Sequence, residues 1–112
     1  MKEKIKEFIH RRDNVSFPEL MRAIPDSAGG RVLCHDNDNL ILWEGMSQPF
    51  VDAIQELQRD GEIVFRRVSA RDATFIHIVD RAGLRYPIAK RIQKYARPRW
   101  LPIVLCKPAR DL

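Results

Sequence analysis

The stretch that decides the fold is SQPFVDAIQELQRDGEI, residues 47–63. Ser47 offers a hydroxyl just before a first helical turn, and Pro49 has the fixed φ that such a turn accepts. Phe50, Val51, Ile54 and Leu57 fall at i, i+1, i+4 and i+7, one apolar face of a helix over about residues 48–60. Gly61 follows as a C-terminal cap. Glu62 then opens a β-prone run that reaches Ser69.

Toward the N-terminus, Arg31–His35 and Leu40–Glu44 flank Asp36-Asn37-Asp38-Asn39, which predicts a β-hairpin. Asp26 to Gly30 reads as a loop. Ser16, Pro18 and Glu19 form a capped start for a helix over 18–24, with Leu20, Met21 and Ile24 inward and Pro25 ending it. Val15-Ser16-Phe17 predicts a three-residue strand. Ile5, Phe8, Ile9 and Arg12 follow helical spacing and predict a first helix over 2–12, stopped by Asp13-Asn14.

Toward the C-terminus, Thr74–Asp80 pairs by pattern with Glu62–Ser69 around Ala70-Arg71-Asp72-Ala73, a second hairpin. From Pro87 to Ala96, one helical face holds Ile88, Ala89, Ile92, Tyr95 and Ala96. The other holds Lys90, Arg91, Lys94 and Arg97, so a short basic helix is predicted, ended by Pro98. Trp100–Leu105 is apolar and fits either an edge strand or a segment docked on the body; Pro102 argues against a central strand. Residues 108–112 read as a frayed end.

Helix, short strand, helix, helix and hairpin is the order of the winged-helix fold. Val15–Leu20 resembles its short first strand and second helix, Ser47–Ile63 its third helix and exit, and Glu62–Asp80 its wing. The resemblance covers residues 2–80 and is one of pattern. It departs at 31–44, where a hairpin stands between the second and third helices in place of a short turn. The expected fold is therefore α+β: a winged-helix core with an extra hairpin and a C-terminal basic helix. Residues 1–80 form the winged-helix domain, and 81–112 a basic extension, either in the same unit or as an appended tail. The resemblance implies duplex DNA binding, with the third helix in the major groove and the wing on backbone or minor groove.

Charge sharpens this. The 112 residues carry a net +5, and at 45% apolar and 31% charged they are globular rather than disordered in composition. Residues 1–80 hold 11 basic and 14 acidic side chains, while 81–112 hold 9 and one. The positive excess thus lies in the last segment and points to a polyanion. Residues 85–99 hold Arg85, Lys90, Arg91, Lys94, Arg97 and Arg99 with no acid, interleaved with Tyr86 and Tyr95 and followed by Trp100. The wing adds Arg66, Arg67 and Arg71 as phosphate or minor-groove contacts. The third helix is the weak element: residues 48–60 hold one basic and three acidic side chains, so only Gln55 and Arg59 are candidates to read bases.

Other chemistry is not signalled. No apolar run reaches the roughly 18 residues of a membrane span, and the charged N-terminus lacks a signal peptide's apolar stretch. Two cysteines, Cys34 and Cys106, make no disulfide framework, so a cytoplasmic protein is expected. Asp36–Asn39 lacks the later glycine and glutamate of a calcium loop. Cys34, His35, His10, His77 and Cys106 lack metal-ligand spacing, so no metal or cofactor is expected. No nucleophile elbow or phosphate loop occurs. The expectation is a non-catalytic DNA-binding protein, a transcriptional regulator or DNA-processing accessory factor. Two other readings fit the same residues. One is a winged-helix protein–protein or dimerisation module, docking through the acidic third helix or through a homodimer built on Trp100–Leu105. The other is RNA binding by the basic segment.

Overall fold

A computed structural model describes residues 1–35, 39–69 and 86–109. The described residues form a compact α+β arrangement of three helices and small sheets. Helix α1 (Lys2–Arg12) buries Ile5 and Ile9. Asp13 and Asn14 then take φ of 55° and 50°, a left-handed corner that Asp and Asn tolerate better than most residues. The corner is tied by the Asp13 N–H to the Ile9 carbonyl (2.7 Å) and by the Asn14 N–H to Asp13 Oδ1 (3.1 Å).

The predicted strand at 15–17 contracts to one residue. Val15 exchanges both backbone hydrogen bonds with Leu105, at 2.8 and 2.7 Å. Ser16 is already the N-cap of α2 (Phe17–Ala23), its hydroxyl accepting the Glu19 N–H at 3.2 Å. The capping signal wins over the β-propensity of Phe17 because Phe17 buries its ring from the first helical turn.

Strand β1 (Ala28–Cys34) pairs antiparallel with β2 (Leu40–Met46). The strand thus includes Ala28–Gly30, which the sequence assigned to a loop. Gly29 makes the extension possible: a Cβ there would sit 2.7 Å from Ser47 Cα, so only glycine lets β1 pass so close. Ser47 caps α3 (Gln48–Arg59), accepting the Phe50 N–H at 3.3 Å while donating to the Asp26 carbonyl at 2.7 Å. Phe50, Val51, Ala53, Ile54 and Leu57 are the buried face of α3, which packs on α1 and β1. Gly61 (φ 72°) turns the chain out, and the Glu62 N–H returns to the Leu57 carbonyl at 2.8 Å.

Strand β3 (Val64–Arg67) finds its partner among the described residues far down the chain. It pairs antiparallel with β5 (Ile103–Cys106), Val64 opposite Cys106 and Arg67 opposite Ile103. Thr74–Asp80, the partner expected from the sequence, lies outside the described residues. Because Val15 pairs with the other edge of β5, that strand is central, contrary to what Pro102 suggested. Pro102 is accommodated because it stands one residue before the ladder, needing no N–H, while its carbonyl accepts the Val68 N–H at 3.2 Å. It occupies the step where the chain passes from one sheet to the other. On the near side of that step, β4 (Arg99–Trp100) pairs parallel with β2.

One core joins these parts. Phe17 stacks on Trp43 at 6.2 Å, and Trp43 meets Trp100 edge-on at 5.9 Å. Leu101, Val104 and Leu105 are fully buried in the same cluster as Ile5, Leu20 and Ile54. Residues 99–106 therefore belong to the body of the fold rather than to a tail. The Trp100–Leu105 run is buried in its own chain's core.

Candidate nucleic-acid interface

The basic helix predicted for 87–96 does not form; residues 86–98 are an irregular strap. A ten-residue helix is marginal by itself, and here its backbone is spent on tertiary bonds. The Ala89 N–H donates to the Trp100 carbonyl (2.7 Å) and the Trp100 N–H to the Pro87 carbonyl (2.8 Å), so Ile88 and Trp100 form a parallel bridge. Tyr95 closes the other end. Its hydroxyl donates to the Arg91 carbonyl at 2.8 Å and accepts the Arg91 N–H at 3.2 Å. Asn39 holds the Tyr95 carbonyl at 2.7 Å, and the Arg99 N–H donates to the Asn39 carbonyl at 2.7 Å. The strap is thus fastened to the start of β2.

This fastening brings several of the predicted cations together, with Lys90, Arg91 and Arg99 lining one hollow. Lys90, Arg91, Lys94 and Arg97 are exposed on the strap, and Arg99 is half-buried at its foot. Arg67 joins them from β3, its guanidinium donating to the Lys90 carbonyl at 3.1 Å. The Arg99 guanidinium lies over the Tyr95 ring at 5.0 Å. Among the described residues, none of these six forms an ion pair with an acid. Arg66 alternates to the other side of β3 and donates to Asn14 Oδ1, at the α1 corner. Arg71 and Arg85 lie outside the described residues.

The surface of α3 is of the opposite character. Gln55 is exposed on it, and Arg59 is 71% exposed but held by acids, 3.9 Å from Glu56 and 4.0 Å from Asp60. Lys2 of α1 reaches the same two carboxylates at 4.0 and 3.8 Å. Gln48 is engaged too, donating to Asp52 at 2.7 Å. Gln55 and Arg59 sit on the helix that packs against α1 and β1, whereas the strap cations sit with β3 and β4.

The interleaved aromatics divide by burial. Trp100 is in the core, and Tyr86 packs on it with its hydroxyl donating to Glu44 at 3.1 Å. Tyr95 alone borders the cations, lining an open hollow of about 310 Å³ with Lys90, Arg91, Gln93 and Arg99. The sequence grouped all three rings, and nothing local distinguishes them; the contact of Trp100 with Trp43 is long-range. Gln93 was not singled out in the sequence, because an amide among cations carries no spacing signal.

Among the described residues, no group of three or more His, Cys, Asp or Glu is placed to hold a metal ion. Cys106 is buried beside Asn14, and Cys34 is half-buried in β1. No described helix is long and apolar enough to cross a membrane. Comparison with protein-family models, curated proteins and solved structures finds no match to the chain.

Proposed function

We propose that the protein is a non-catalytic DNA-binding protein of winged-helix type, a transcriptional regulator or DNA-processing accessory factor in the cytoplasm, and that it holds duplex DNA through β3 and the strap. The winged-helix reading draws support from the order α1, Val15, α2, α3, β3, and from the sheet Val15–β5–β3 that α1 packs against. In this variant β5 stands between the first short strand and the wing strand. The β1–β2 pair is the addition between α2 and α3.

The observation that carries the functional reading is the segregation of charge. Lys90, Arg91 and Arg99 line one hollow, Arg67 bonds to the Lys90 carbonyl, and Lys94 and Arg97 are exposed on the same strap, all without an acidic ion-pair partner among the described residues. Such a group of cations repels itself and is relieved when phosphates displace its counterions. The ion pairs of α1, α2 and α3, by contrast, are satisfied within the chain. The strap and β3 thus supply the affinity, with Gln55 and Arg59 as the base-reading candidates.

The test is the salt dependence of binding to random-sequence duplex DNA. Each phosphate neutralised contributes about 0.9 to the slope of log affinity against log salt. The triple variant Lys90→Ala, Arg91→Ala, Lys94→Ala is expected to lower that slope by roughly 2.7. Absence of binding at low salt refutes the proposal and favours the alternative, a protein-docking module acting through the acidic face of α3.

A further inference from the structure

The hollow over the strap is small, near the bottom of the range of about 300–1,000 Å³ typical of ligand sites. It is also built rather than incidental. Tyr95 is held at its hydroxyl by Arg91 and at its carbonyl by Asn39, and Arg99 is held by its pairing with β2. The ring and the Arg99 backbone are therefore held by the fold, and the guanidinium lies over the ring at 5.0 Å. Lys90 and Arg91 add two mobile positive charges, and Gln93 an amide that both donates and accepts.

We infer that this hollow takes the base and phosphate of a single unpaired nucleotide, so that the protein favours DNA with a single-stranded extension over continuous duplex. The inference rests on the nucleic-acid reading above and names the form of DNA that reading leaves open. Within a duplex every base is paired and stacked, and only phosphates reach a surface such as this one. An unpaired nucleotide also presents a flat π-face, which stacks on aromatic rings and on arginine guanidinium planes. A preformed Tyr95–Arg99 pair beside Lys90 and Arg91 matches that chemistry: face for the base, cations for the phosphate, and the Gln93 amide for a base edge. On the exposed face of α3, by contrast, Gln48 and Arg59 are engaged with acids, and no aromatic ring accompanies Gln55.

The experiment compares, at low salt, a blunt duplex and a duplex bearing a short single-stranded thymidine extension, matched in total phosphates. The wild-type chain is expected to bind the extended probe roughly tenfold more tightly, the size of one stacking contact. Tyr95→Leu, which keeps bulk and removes the ring, should erase this preference, so that the variant binds the two probes equally. Tyr95→Phe keeps the ring and loses the hydroxyl bonds to Arg91, and should retain the preference. Arg67→Ala should weaken both probes equally. Equal affinity of the wild type for the two probes overturns the inference, as does a preference that survives Tyr95→Leu. Loss of preference in both Tyr95 variants overturns stacking as its cause, since only the strap's fastening is common to them. Blunt-duplex binding with no preference leaves the DNA-binding proposal standing, whereas failure of both probes to bind removes both.

Discussion

Replacing Leu105 by alanine distinguishes a core strand from a docked tail. Leu105 has no exposed surface and exchanges backbone hydrogen bonds with Val15 while standing opposite Phe65. The substitution leaves those backbone bonds intact and removes only packed side-chain atoms. At such a site the lost transfer free energy and the residual cavity together cost about 3–4 kcal/mol. Small domains have only about 5–15 kcal/mol of stability, so about a fifth or more is lost. With a urea m-value of about 1–3 kcal/mol/M, the unfolding midpoint should fall by about 1–4 M at unchanged m. Ile92→Ala is the control, because Ile92 is 50% exposed on the strap, and it should stay within about 0.5 kcal/mol of the wild type. A Leu105→Ala midpoint no lower than that of Ile92→Ala would refute the placement of β5 at the centre of its sheet.

Three further outcomes are expected. Gly29→Ala should cost about 1–3 kcal/mol, read by urea unfolding, because its Cβ meets backbone atoms of Met46 and Ser47 at 2.7–2.9 Å; Gly30→Ala, with open space around it, should be neutral or stabilising by up to about 1 kcal/mol. Ser47→Ala removes the α3 cap and the anchor to Asp26, and thermal unfolding should show a loss of about 1–2 kcal/mol. Lys2→Ala should cost less than about 1 kcal/mol, and the difference from wild type should vanish in high salt, because its pairs with Glu56 and Asp60 are exposed and long.

Where a feature is local, the residues announce it. The Ser16 and Ser47 caps, the apolar stripe of α3 and the turn at Gly61 all appear where the sequence places them, because each depends on atoms within about one helical turn. The acidity of α3 was equally legible, since charge is a property of composition. The cationic residues Arg67, Lys90, Arg91, Lys94, Arg97 and Arg99 could be picked out one by one. The approach of Arg67 to the strap could not, because Arg67 and Lys90 are joined by a bond between segments 23 residues apart.

The sequence by itself determined α1, α2 and α3, the Ser16 and Ser47 caps, the apolar stripe of α3, and the imbalance of charge between the two parts of the chain. Tertiary structure alone decided three things. It gave β3 a partner at Ile103–Cys106, although Pro102 seemed to exclude a central strand there. It drew Trp100 out of the basic segment and into contact with Trp43. It also unmade the helix expected over 87–96. An amphipathic pattern of ten residues offers little helical stability by itself, and the bonds of Pro87 and Ala89 to Trp100 compete for the same backbone groups. The result is a fastened strap whose cations face outward beside β3, a juxtaposition that no reading of local periodicity contains.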